Sequence, residues 1–209
     1  VNASKSPYLV GIAGGSASGK TSFLRALLDA FEPEEISLVS QDNYYRPFEE
    51  QVKDENGWVN FDLPGSINQL EFTSDLEKLK QGKPIKRLEY TFNNPAVTPA
   101  MLTTQPAPII ITEGLFVFHY DDVRELSDYK VYLHADPTIR LERRINRDHV
   151  ERGYPEDEVR YQWENHVRPA DKLYLEPYKN MAHQTVNNDK TFDAGLETLV
   201  QHLKKRLKQ

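Results

Sequence analysis

Residues 8–22 read YLVGIAGGSASGKTS. A short apolar run gives way without a spacer to glycines, hydroxyl-bearing residues and a lysine. The apolar run reads as a buried strand, and Thr21 to Phe31 follows with helical spacing at Phe23, Leu24, Leu27 and Leu28. Between them, Gly14-x4-Gly19-Lys20-Thr21 matches the phosphate-binding loop pattern in the strand-to-helix context that the pattern requires. Gly14, Gly15, Ser16, Ala17, Ser18 and Gly19 would turn successive backbone N–H groups inward as an anion nest. The helix that opens at Lys20, Thr21 and Ser22 would add its positive end. Lys20 would compensate β/γ-phosphate charge, and the Thr21 hydroxyl is a ligand for Mg²⁺.

Working outward, other short continuous apolar runs alternate with helical segments. ISLVS (36–40), PIIIT (108–112) and KVYLHA (130–135) read as further buried strands, with HQTVN (183–187) as a fifth. Asp136 and Pro137 mark a helix start; helices are expected to about residue 150 and from Glu156 to about Tyr174. Residues 66–81 form a helix on which Ser66 and Gln69 are placed as a capping box. The last helix carries a stripe of Leu196, Leu199, Val200, Leu203 and Leu207. Five of the thirteen prolines fall between 84 and 108, around IKRLEY and AVTPAML, which reads as an irregular hairpin inserted into the domain. The pattern specifies an α/β fold, a parallel sheet flanked by helices, in one domain over 1–209 with an inserted hairpin at 84–107 and an arginine-rich lid at 138–168. Ligands of such sheets bind at the carboxyl ends of the strands. Asp42, Glu113 and Asp136 each follow or end a predicted strand and so converge on that edge.

Composition narrows the functions. With 38% hydrophobic and 28% charged residues the chain is globular, and without cysteine it has neither disulfide nor thiolate chemistry, which fits a cytoplasmic setting. A net charge of −6 argues against nucleic acid as a general partner. The apolar runs are too short and too charge-broken to span a membrane, and no leader-like pattern opens the sequence. Yet Arg140, Arg143, Arg144, Arg147 and Arg152 crowd into thirteen residues, a local anion site in an acidic protein. Arg140, Arg144 and Arg147 share one helical face.

A phosphate loop alone leaves the fate of the phosphate open. No Asn-Lys-x-Asp guanine motif occurs, and the DLPG at 62–65 follows no apolar strand, which disfavours a nucleotide-binding switch. A small-molecule kinase needs a base for the acceptor hydroxyl, a metal carboxylate, and cations for the transferring phosphoryl. Asp42 and Glu113 supply the carboxylates, and the arginines supply the cations.

At this depth the sequence resembles the uridine-cytidine kinase family over nearly its whole length. GGSASGKTS is similar to that family's nucleotide loop, and SQDNYYR to its Ser-Gln-Asp-x-Phe/Tyr-Tyr-Arg segment. The resemblance implies a nucleoside substrate, ATP or GTP as phosphate donor, Mg²⁺, a cytoplasmic enzyme and a homo-oligomer, dimer or tetramer. It implies Asp42 as the base toward the ribose 5′-hydroxyl, also near the metal with Thr21 and Glu113. Lys20 and Arg147 would serve the transferring phosphoryl and Arg152 the nucleotide phosphates. Asp62, in NFDLPGS, would hold the ribose hydroxyls, with Arg144, Gln162 and Tyr90 around the nucleoside. Three segments depart from the family. Pro95 stands where the hairpin commonly has histidine, Tyr154 where it has arginine, and MAHQTVNND replaces Ala-Asp-x-Ile-Ile-Pro. Tyr154, with one hydroxyl, and Asn94 (or Asn93), with an amide, are then the polar candidates for the base. A related kinase acting on another hydroxyl acceptor is the alternative.

Overall fold

The computed structural model describes residues 6–92 and 96–208, apart from the side chains of 151 and 152. Strands β1 (Tyr8–Ala13), β2 (Ile36–Ser40), β5 (Ile109–Gly114), β6 (Tyr129–His134) and β7 (Gln184–Asn187) form one sheet in the order β2-β5-β1-β6-β7. All of its pairings are parallel. Alternation along the strands divides the core into two layers. Leu9 and Ile110 face Phe72, Leu76 and Leu79 of α2 (Gln69–Lys80) and Val123 of α3 (Asp121–Leu126). Val10, Ile12, Ile109 and Ile111 face Phe23 and Leu27 of α1 (Lys20–Leu28) and Leu199 and Leu203 of α7 (Asp193–Leu207). A sheet covered on both faces explains why its strands read as continuous apolar runs.

Strands β3 (Ile85–Leu88) and β4 (Met101–Thr104) pair antiparallel as a separate two-stranded hairpin. It pairs further from its tip than the apolar segments suggested, because Pro99 has no N–H to give a ladder and pairing resumes only at Met101. Asp136 caps α4 (Pro137–Arg152) by accepting from Thr138 N–H at 2.8 Å, and Gly153, at φ 69°, ends it. The cap of α2 corrects the expected Ser66/Gln69 box. Asn68 is the N-cap, accepting from Glu71 N–H, while Ser66 sits in a preceding 3₁₀ turn and donates to the Asn60 carbonyl. Two residues compatible with capping stood close together, and the one nearer the first helical turn took the role. Helix α3 was not anticipated; six residues with one buried side chain carry no readable period.

After α4 come α5 (Glu156–Gln162), a π-helical stretch Trp163–Val167, α6 (Arg168–Ala170) and a second π-helical stretch Asp171–Leu175. This helical run and α4 lie against the carboxyl edge of the sheet, above the loop after β1.

Candidate active site

The loop after β1 is bent into a nest by two left-handed residues, Ala17 at φ 59° and Gly19 at φ 96°. Side chains are excluded there for two further reasons. A Cβ on Gly15 would overlap the Arg140 guanidinium, and one on Gly19 would overlap the Asn188 amide. Asn188, just beyond β7, donates to the Ser18 carbonyl at 2.8 Å, and its own carbonyl accepts from Arg143 at 2.9 Å. Lys20 folds back to donate to the Gly14 carbonyl at 2.8 Å. Burial holds its ammonium below the usual lysine range, against the opposing pull of Glu113 and Asp42. Thr21 and Ser22 are exposed on the first turn of α1.

Glu113, next to last in β5, lies beside Ser40 of β2 in the parallel register, and the Ser40 hydroxyl donates to its carboxylate. The same hydroxyl accepts from Asp42 N–H at 3.3 Å, in the 3₁₀ turn Gln41–Tyr44 that follows β2. Glu113 is 7% exposed. Burial, and then the Asp42 charge, push its carboxyl up from 4.5 to about 7, against Lys20 and Ser40. Two carboxylates and one lysine thus share a poorly solvated corner under the phosphate loop.

Helix α4 aims its arginines at the same corner. Arg140 donates to the Ser16 carbonyl at 2.8 Å and pairs with Asp171 at 2.7 Å. Arg144 donates to Ser16 Oγ at 3.0 Å and to Gln162 Oε1 at 2.9 Å, and pairs with Asp148 at 3.3 Å. Arg147 pairs with Asp148 at 2.8 Å, and Asp148 is fully buried.

On the opposite side Asp62 is buried, and its carboxyl is raised by burial against the lowering influence of Arg144. The Tyr45 hydroxyl is pushed well up by burial and then by the Asp42 and Asp62 charges. The Tyr45 ring packs at 5.2 Å from Tyr90, 5.9 Å from Phe61 and 6.4 Å from Phe92. The hairpin is anchored here, since Tyr90 N–H donates to Asn43 Oδ1 at 3.1 Å and Arg87 donates to the Asn43 carbonyl at 2.7 Å.

The structure therefore gathers Gly14 to Thr21, Asp42, Glu113, Arg144 and Arg147 at one strand edge; Gln162 joins them through Arg144, Tyr90 packs on Tyr45, and Asp62 is buried beside Phe61, which also packs on Tyr45. Tyr154 stands apart, exposed beyond the end of α4, its backbone N–H donating to Asp148. Asn94 and the Arg152 side chain lie outside the described residues. The geometry adds Arg140, Asn188 and Tyr45. Asn188 follows a strand on the carboxyl edge, the same signal that marked Asp42, and Tyr45 is the second aromatic of DNYYR.

A family model described as the phosphoribulokinase/uridine kinase family matches residues 9–194. A uridine kinase of Geobacillus kaustophilus is 37% identical over 183 residues, 85% of this chain and 84% of that protein. Uridine kinase-like protein 5 of Arabidopsis thaliana is 31% identical over 205 residues; the match takes in 98% of this chain but 44% of the plant protein. Among solved structures, D-glycerate 3-kinase from Cryptococcus neoformans superposes with a TM-score of 0.65 at 16% identity, over 87% of this chain and 86% of that one.

Proposed function

Since the chain belongs to the phosphoribulokinase/uridine kinase family, we propose that it transfers the γ-phosphoryl of ATP to the 5′-hydroxyl of a pyrimidine ribonucleoside, uridine or cytidine. The observation that carries this reading is Arg144, which joins Ser16 of the phosphate loop at 3.0 Å to Gln162 on the acceptor side at 2.9 Å. A nucleotide switch has no need of an acceptor side joined to its phosphate loop.

In this reading Asp42 takes the proton of the attacking hydroxyl, Asp62 holds the ribose hydroxyls and Tyr90 stacks on the base. Lys20, Arg147 and Arg152 receive the charge of the phosphates, and Arg144 stands with Gln162 on the nucleoside side. Tyr154 and Asn94 belong to the base side of the pocket once the lid at 138–168 has closed, with the hairpin at 84–107 as its other cover. The whole chain acts as one kinase domain.

Mg²⁺ fits the residues present. Two crowded carboxylates, one of which keeps its proton to about pH 7, are short of positive charge, and the Thr21 hydroxyl is exposed nearby. No group of three or more His, Cys, Asp or Glu forms a cage among the described residues, as suits an ion that shares its ligands with phosphate. Thr21, Asp42 and Glu113 would hold it, and bound there it would neutralise charge between the phosphates.

No helix of the described residues is long and apolar enough to cross a membrane. A cytoplasmic homo-oligomer completes the proposal, checked by sedimentation. The test of function is a panel of nucleosides and other alcohols assayed by ADP release. Turnover on uridine or cytidine supports the reading; turnover only on a different alcohol replaces it with another kinase.

A further inference from the structure

A group of polar side chains outside the phosphoryl site has no place in the reaction so far. Residues 52–60 fold into a small flap. Lys53 bridges antiparallel to Val59, Asn60 N–H donates to the Val52 carbonyl at 2.8 Å, and Gly57 takes the turn at φ 83°. At its bend Asp54 is the hub. Its Oδ1 accepts from the N–H groups of Asn56 and Trp58, each at 2.9 Å, as a local turn would use it. Its Oδ2 does something a turn does not require. It accepts from Tyr161 Oη at 2.8 Å and from His166 Nε2 at 2.7 Å, across 107 and 112 residues of sequence.

Both donors sit on the helical run that begins with α5. Tyr161 adjoins Gln162, the partner of Arg144, and His166 lies in the π-helical stretch Trp163–Val167, almost fully buried. π-Helical turns are rare and concentrate at functional sites. Asn56 donates to the Tyr161 hydroxyl at 2.8 Å, and the Trp58 and Tyr161 rings lie 5.7 Å apart. Burial raises the Asp54 carboxyl, but its four donors outweigh that and hold it at about 2, so the hub is an anion at every working pH.

The flap leads directly to the acceptor pocket. Asn60 Oδ1 accepts from Asp62 N–H at 2.9 Å, and the Asn60 carbonyl accepts from Ser66 Oγ at 3.1 Å. We propose that Asp54, with His166 and Tyr161, is a positioning latch that fastens the 52–60 flap to the α5 helical run and so sets Asp62 and Gln162 at a fixed separation across the acceptor pocket. None of the three touches the reacting atoms. The latch itself rests on contacts within the chain, and its service to the acceptor rests on the reading above.

The test compares Asp54→Asn, His166→Phe and His166→Gln. Asparagine keeps an oxygen for the two backbone N–H groups but turns a donor toward two donors; phenylalanine fills the histidine's space without an N–H, and glutamine restores one. Hydrogen exchange at residues 58–62 should quicken about tenfold in Asp54→Asn and His166→Phe, the scale of one lost charge-assisted hydrogen bond. The acceptor KM should rise by about the same factor while the MgATP KM and kcat stay within about twofold, because binding geometry rather than transition-state charge is lost. His166→Gln should recover most of both effects, and Asp54→Asn/His166→Phe should be no worse than either single change. Unchanged exchange at 58–62 would overturn the latch. Faster exchange with an unchanged acceptor KM, or equal rises in acceptor and MgATP KM, would overturn its positioning role. A wild-type chain that phosphorylates no nucleoside would refute the acceptor reading, and the exchange result would still decide the latch.

Discussion

Replacing Glu113 by glutamine should stabilise the ligand-free protein several times more at pH 8 than at pH 5. The folded chain holds the Glu113 proton to about pH 7, against an ordinary 4.5. Between those values the folded state binds more protons than the unfolded one, so stability falls as pH rises. The contribution is complete below pH 4.5 and is lost as pH passes through 7. A difference of two and a half pKa steps is worth about 3 kcal/mol, an upper bound because Asp42 is a shared cause. For a chain of this size that corresponds to roughly 6–12 °C in Tm. Glutamine cannot ionise and can still accept from Ser40, so Glu113→Gln should gain most of that difference at pH 8. The assay is urea unfolding of the nucleotide-free wild type and variant at pH 5 and pH 8, read as a difference of differences so that other titrating groups cancel. Asp42→Asn should move the wild-type transition to lower pH, since the Asp42 charge is the second cause of the shift. MgATP should stabilise the wild type at pH 8 more than it stabilises Glu113→Gln. Parallel pH profiles for wild type and Glu113→Gln would refute the reasoning.

Three further outcomes follow from the same geometry. Lys20→Ala should weaken MgATP binding and abolish turnover, whereas Asp42→Asn should bind MgATP nearly normally and lose about a hundredfold or more in kcat; calorimetry beside turnover separates them, and a near-normal kcat in Asp42→Asn would remove it as the base. Arg147→Ala should lower kcat more than it raises the acceptor KM, because its charge is wanted mainly as the phosphoryl transfers; steady-state kinetics in both substrates reads this, and a change in KM alone would make it a binding residue. Asp62→Ala should remove measurable activity and 2′-deoxynucleosides should be poor acceptors for the wild type, both read in the ADP-release assay, and equal use of deoxy- and ribonucleosides would take Asp62 away from the ribose.

What could be read before the structure was what local chemistry dictates. The loop after β1, the buried strands and the Asp136–Pro137 helix start are all signals contained within a few neighbouring residues, and the parallel sheet follows from them. The rule that ligands meet strand ends was enough to bring Asp42 and Glu113 together. The contacts that escaped are those whose partners are far apart in sequence. Asn188 meets Ser18 across 170 residues, and no period or spacing in either segment announces the other. Arg140 was grouped with its helical face, but its role as a wedge against Gly15 depends on how α4 packs over the loop. The Asn68 cap was lost to a neighbouring serine with equal local claim.

Among the described residues, the cations of the phosphoryl corner have partners within the chain, and those partners differ in kind. Lys20 rests on the Gly14 carbonyl, a neutral acceptor that a phosphate oxygen can replace. Arg140 is held at both ends, by the Ser16 carbonyl and by Asp171, which makes it part of the loop's frame. Arg147 is tied to Asp148 at 2.8 Å while its side chain remains one-third exposed, so it can turn toward a phosphate without leaving a cation buried. Asp148 is fully buried, and a buried carboxylate stripped of every partner is costly. Arg144, which also pairs with Asp148 at 3.3 Å, keeps that carboxylate compensated when Arg147 leaves. Asp148 thus separates Arg144, held also by Ser16 and Gln162, from the partly exposed Arg147, the residue proposed for the transferring phosphoryl.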